Sequence, residues 1–229
     1  MTVHIVIPIK NELENLHKFS KKYGVWWYFI SKRIGDIKIT FMDDSSIYYM
    51  MLGKNVFYNA KYNIRFSRGC GNYGDSLVKG ILCAGKYDKL IVMDIDHPIT
   101  LIDTMIMMLE KYDIVIGNDS NKNNARSVTN WLCNNILGLN LKHPTCGFIG
   151  FNSYCIKPVD YRNIRPHKAR SKRDIIHVEW MKEARNKKLS VGELDFYSSA
   201  EHNYTVSRCI RWLYDFSLTV FRNMINLYP

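Results

Sequence analysis

The sequence predicts an α/β fold: a mostly parallel central sheet with helices on both faces. Three observations carry this. Short apolar runs alternate with stretches of helical period through the first half of the 229-residue chain. Residues 3–9 are apolar without alternation, as expected of a strand covered on both faces. Four polar clusters fall where strands would end, at residues 8–12, 43–46, 94–97 and 117–119. That edge is where open α/β sheets bind ligands.

Each element follows in order. Residues 3–9 form the first strand. Residues 11–33 read as helix, with Leu13, Leu16, Phe19 and Tyr23 at spacings of three and four. Residues 37–42 form the second strand, and the polar turn Asp43-Asp44-Ser45-Ser46 can cap a following helix. Residues 55–59 and 64–67 are expected as short strands. Residues 69–74 are glycine-rich, and 75–84 read as helix. Lys89-Leu90-Ile91-Val92-Met93 is a buried-type strand that ends in Asp94-Ile95-Asp96, and Pro98 blocks its continuation. Residues 101–111 are a helix with a Met-rich core face, 113–117 a strand and 125–137 a helix. Residues 145–151 are an apolar segment with two glycines. Residues 158–173 form a basic loop, 174–188 a helix and 190–196 a strand. Residues 207–227 are expected as a final amphipathic helix, suited to a membrane surface, the core or a homodimer interface.

Composition narrows the function classes. Lys and Arg number 32 against 21 Asp and Glu, a net charge of +11, which favours anionic partners. Six cysteines are scattered without a Cys-x-x-Cys pair, which argues against a zinc site and a disulfide framework and for a reducing, cytoplasmic setting. No apolar stretch reaches the roughly 18 residues of a membrane span. The first residues read as a core strand and lack the basic region of a signal peptide. The basic loop lacks the interleaved aromatics of a stacking platform, so nucleic acid is not the expected partner.

Two carboxylates one residue apart at a strand exit can converge on a hard cation, and that cation can hold a diphosphate. The surrounding clusters match a known family in order and spacing. Pro8-Ile9-Lys10-Asn11-Glu12 ends the first strand, and Asp43-Asp44-Ser45-Ser46 ends the second. Arg68-Gly69-Cys70-Gly71 precedes a helix. Met93-Asp94-Ile95-Asp96, the strand ending at Gly117 and Thr145-Cys146-Gly147-Phe148 follow in turn. Over about residues 3–200 the chain resembles the family 2 glycosyltransferases with the GT-A fold. Within them it is most similar to the polyprenyl-phosphate sugar transferases of the dolichol-phosphate mannose synthase type.

The resemblance implies a GT-A domain over residues 1–200 and a separate C-terminal helix over 201–229. It implies a metal-dependent, inverting transfer from a UDP- or GDP-sugar to a polyprenyl phosphate, at the cytoplasmic face of a membrane. A glycan or protein hydroxyl is the alternative acceptor, and a catalytically inactive nucleotide-binding module the alternative class. Pro8, Lys10, Glu12, Asp44 and Arg68 would line the donor site. Asp94 and Asp96, with His97, would hold Mg2+ or Mn2+. Arg126 would meet an acceptor phosphate, and Glu179 would position donor or acceptor. The chain also departs from the family pattern. Leu-Gln is missing between Asp96 and His97, Ser45 replaces a glycine, and Asn118-Asp119 replaces Ser-Arg.

Overall fold

A computed structural model describes residues 1–58, 63–120, 124–156, 175–197, 210, 212–217 and 220–221. Within them, a single seven-stranded sheet runs β1 (Thr2–Ile9), β2 (Asp36–Asp43), β3 (Ile64–Arg68), β4 (Lys89–Val92), β5 (Ile114–Asp119), β6 (Ile149–Asn152) and β7 (Val191–Phe196) in chain order. In space the order is β3-β2-β1-β4-β6-β5-β7. The β1–β2, β2–β3, β1–β4 and β5–β7 pairs are parallel. Strand β6 is antiparallel to both β4 and β5. The α/β architecture expected from the sequence is therefore present, with one reversed strand in the middle.

Helices α1 (Leu13–Ile34), α2 (Ile47–Val56), α3 (Tyr73–Leu82), α4 (Ile102–Met108), α5 (Asn124–Leu137), α6 (Ser153–Ile156) and α7 (Ile175–Asn186) connect the strands. Every residue of β1 from Val3 to Ile9 is buried, so both faces of the sheet are covered. Ile7 lies beside Phe41 in register, and Phe19 of α1 packs edge-on against Phe41 at 5.6 Å. Val6 and Met42 point to the other face, where α3 comes so close that only glycine fits at residue 80. A Cβ there would lie 2.5 Å from Val6 Cγ1 and 2.8 Å from Met42 Cγ. Gly80→Ala is expected to cost about 1–3 kcal/mol through overpacking, read as a lower urea midpoint with an unchanged slope.

One local expectation is corrected. Residues 55–58 are not a strand. Asn55 and Val56 finish α2, and Phe57 and Tyr58 form the turn that leaves it. Ser46 starts that helix, its hydroxyl accepting from the Tyr49 N–H at 3.4 Å. The apolar segment at 145–151 contributes β6, which separates β4 from β5. The 158–173 loop lies outside the described residues. So does most of the expected C-terminal helix. Its described residues, 210, 212–217 and 220–221, are helical, with Trp212 and Phe216 in the core and stacked at 5.0 Å. Leu213 and Phe221 are exposed. Among the described residues, no helix is long and apolar enough to cross a membrane. Among the described residues, Cys70, Cys83, Cys133, Cys146 and Cys155 are free thiols.

Candidate active site

The parallel register brings the strand ends together. Ile9 stands beside Asp43, and Asp43 beside Arg68. The Met93 N–H donates to the Val6 carbonyl at 3.2 Å, so Asp94 leaves the sheet next to the same edge. A cleft of about 350 Å³ opens there. It is lined by Pro8, Ile9, Lys10, Glu12, Asn15, Asp44, Gly71, Asn72, Tyr73, Asp94, Ile95 and Asp96. Three of the four polar clusters line this cleft. The fourth, at residues 117–119, lies at the same edge, since β5 runs parallel to β4, but β6 stands between the two strands and these residues do not line the cleft. Asn118 instead donates to Asp195 on β7 at 2.6 Å.

The strand-end loops are tied to one another by hydrogen bonds. Asn11 adopts a positive φ of 57°, which asparagine tolerates better than most residues. Its N–H donates to the Ser45 hydroxyl at 2.7 Å. The Ser45 N–H donates to Asp43 Oδ1 at 2.8 Å, and the Ser45 carbonyl accepts from Arg68 Nη1 at 2.7 Å. Ser45 thus joins the first three loops. It also occupies Arg68, which is not among the residues lining the cleft.

Asp44 orders the glycine loop. Its Oδ1 accepts from the Gly71 N–H at 2.6 Å and its Oδ2 from the Ser76 hydroxyl at 2.7 Å. A Cβ at residue 69 would lie 2.2 Å from Asp44 Oδ1, which explains the glycine. The loop ends at Asn72, the N-cap of α3, whose side chain accepts from the Asp75 N–H at 3.0 Å. Glu12 accepts from Asn15 Nδ2 at 2.6 Å on the opposite wall.

The acidic turn after β4 gathers the expected metal donors. Asp94, Asp96 and His97 each offer an atom, all within 4.8 Å of one another. The turn is closed by the His97 N–H donating to the Asp94 carbonyl at 3.1 Å. His97 Nδ1 accepts from the Asp94 N–H at 3.0 Å. The imidazole packs between Phe148 and Phe196 at 5.6 and 5.5 Å. Asp96 is exposed. Tyr73 donates its hydroxyl to Asp94 Oδ1 at 3.1 Å.

Glu12, Asp44, Asp94 and Asp96 give the cleft four carboxylates against the single ammonium of Lys10. In a chain of net charge +11 this is a local inversion. A diphosphate entering alone would meet repulsion, so the donor set fits a hard divalent cation that offsets it. Glu179 sits half-buried on α7 and is not among the lining residues. Arg126 lies in α5, and its side chain is outside the described set. Tyr73, Asn15 and Gly147 belong to this site or border it and were missed in the sequence. Only Asn72, with Asp75 three residues on, signals where α3 begins.

No family profile and no curated protein sequence matches this chain. Its fold, however, matches solved structures. Glucosyl-3-phosphoglycerate synthase from Mycobacterium tuberculosis, in complex with UDP, superposes with a TM-score of 0.69 at 10% identity, covering 96% of this chain and 80% of that one. The same enzyme with Mn2+, UDP and phosphoglyceric acid gives 0.69 at 11% identity, with coverage of 96% and 78%. Mannosyl-3-phosphoglycerate synthase from Rubrobacter xylanophilus gives 0.62 at 13% identity, with coverage of 98% and 74%. At such identities the likeness is one of fold: the chain has the mostly parallel seven-stranded α/β sheet of these GT-A-like structures.

Proposed function

We propose that this protein is a metal-dependent glycosyltransferase that takes its sugar from a nucleoside-diphosphate sugar. The observation that carries the reading is the acidic turn: the Asp94 and Asp96 carboxylates, with oxygens within 4.8 Å of each other at the end of β4, in a cleft with four carboxylates. The fold supports it, since the glucosyl-3-phosphoglycerate synthase holds UDP and Mn2+. Asp94 and Asp96 would hold Mg2+ or Mn2+. When bound, the cation neutralises charge on the departing nucleoside diphosphate.

The chain's own residues do the rest. The β1 loop, with Pro8, Lys10 and Glu12, forms one wall for the nucleoside. Asp44 works by holding the Gly69–Gly71 loop against the other wall. His97 fixes the turn: with Nδ1 accepting the Asp94 N–H, the neutral ring carries its proton on Nε2. Arg68 braces the second and third loops through Ser45.

The acceptor we infer carries a phosphate. The polyprenyl phosphate implied by the sequence resemblance and the phosphoglyceric acid bound by the structural neighbour share that group. A phosphate suits the basic excess that lies outside the cleft. Arg126 and Glu179 remain our candidates for the acceptor side.

Thermal shift with a panel of UDP- and GDP-sugars, with Mn2+ or with EDTA, tests the donor reading. A nucleotide at about 100 times its dissociation constant should raise the melting temperature by roughly 5–10 °C. The rise should vanish in EDTA. No metal-dependent shift with any donor would end the reading. Product formation on a short polyprenyl phosphate and on 3-phosphoglycerate then separates the two acceptor sources. Nucleotide binding without turnover on either would leave a binding module.

A further inference from the structure

We propose that Tyr73 is a positioning residue for Asp94, setting the direction in which that carboxylate faces the cation. The proposal rests on the reading of Asp94 and Asp96 as cation ligands. Tyr73 opens α3 directly after the Asn72 cap, so the helix start fixes its backbone. Its hydroxyl donates to Asp94 Oδ1 at 3.1 Å across 21 residues of sequence. On the other side of the carboxylate stands Gly147. A Cβ there would lie 2.9 Å from Asp94 Oδ2 and 3.3 Å from the Tyr73 oxygen. The carboxylate is therefore held by a donor on one oxygen and confined by backbone at the other.

The chemistry favours a phenol in this place. A lysine would orient Asp94 but cancel its charge and compete with a cation. A phenylalanine would remove this donor from Asp94 Oδ1. Tyrosine supplies a donor with no charge. Such hydrogen bonds to ligating carboxylates preset the ligand and tune affinity. The ring is itself braced, lying edge-on to His177 of α7 at 5.8 Å with an interplanar angle of 88°. His177 is 1% exposed and packs against the fully buried Trp180 at 5.6 Å. The turn after β4 is thus linked through Tyr73 to the helix that carries Glu179.

Tyr73→Phe deletes the hydroxyl and keeps the ring against His177. Mn2+ binding is measured by electron paramagnetic resonance on wild type and variant, beside thermal melts and steady-state kinetics. The Mn2+ dissociation constant should rise about tenfold. The KM for Mn2+ should rise with it, while kcat at saturating Mn2+ and the melting temperature stay near wild type. An unchanged Mn2+ constant overturns the proposal. So does weakened nucleotide binding at saturating Mn2+ with Mn2+ affinity intact, which would make Tyr73 a donor contact. If wild type binds no Mn2+, the cation reading itself fails and Tyr73 falls with it.

Discussion

Gly147→Ala should silence the site as thoroughly as Asp96→Ala while leaving the fold standing. A Cβ at residue 147 would sit 2.9 Å from Asp94 Oδ2 and 3.3 Å from Asp94 Cγ. Carbon and oxygen cannot share that space, so something must move. The backbone of residue 147 is fixed, since Phe148 is fully buried and its carbonyl accepts the Gly117 N–H at 2.7 Å. The Asp94 carboxylate is the mobile partner, being the end of a short side chain in a turn. It would swing away, stretching the Tyr73 bond and leaving the donor cluster. The stability cost of moving a side-chain end is small. The functional cost is large, because a displacement of about 1 Å in a catalytic constellation can cost on the order of 100-fold in rate. Sugar transfer, or donor hydrolysis where the acceptor is unknown, should fall by about that factor in Gly147→Ala. Mn2+ binding should weaken in parallel, with a melting temperature close to wild type. Asp96→Ala gives the reference loss. Wild-type Mn2+ affinity in Gly147→Ala would show that Asp94 takes no part in holding the ion.

Gly147 also shows where sequence reading stopped. The glycine was visible in Thr145-Cys146-Gly147-Phe148, but what it faced was not. The opposing carboxylate is 53 positions away, in the turn after β4, a strand whose neighbour could not be deduced. Strand β6 was hidden for the same reason. Its run is short and broken by Gly150, and nothing local shows that it enters the sheet backwards between β4 and β5. That insertion is why residues 117–119, a strand-end cluster by pattern, do not join the cleft. The misread segment at 55–58 has another cause. Helix α2 leaves Ile47, Tyr48 and Met51 exposed, so its apolar residues do not form one stripe. Asn-Val-Phe-Tyr-Asn then reads as β-prone. The legible parts were those fixed by local chemistry. Continuous apolar runs became buried strands, the Ser46 cap started α2, and the Asp94–Asp96 pair fell at the end of β4. Asp44 and Arg68 were found by position, but the contacts they make depend on Ser45 and Gly71, whose roles only the folded register reveals.

Stability should fall steeply between pH 6.5 and pH 4 because of His4, at the far end of β1 from the cleft. The side chain is 4% exposed, and its Nε2 lies 2.9 Å from the Thr40 hydroxyl. Burial pushes its pKa from the ordinary 6.5 down to about 4. The nearby charges of Lys38 and Arg65 add to the drop, and a contact with the Ala84 backbone opposes it. The unfolded chain therefore takes up a proton near pH 6.5, while the folded chain resists until about pH 4. Across that window the unfolded state binds more protons, so stability declines as pH falls. The contribution of neutral His4 is complete above pH 6.5 and gone by about pH 4. A shift of this size corresponds to about 3 kcal/mol over the whole window and roughly 2 kcal/mol at about pH 5. Against a total stability of about 5–15 kcal/mol, that loss is large. Urea unfolding of wild type and His4→Gln between pH 7.5 and 5 isolates the effect, since the other buried histidines, His97, His143 and His177, are common to both proteins. Glutamine keeps a hydrogen-bonding end for Thr40 but does not titrate. The variant should lose about 2 kcal/mol less than wild type over that range. Parallel losses in the two proteins would show that His4 takes up its proton alike in the folded and unfolded chains, and that the packing around β1 and β2 is looser than its burial implies.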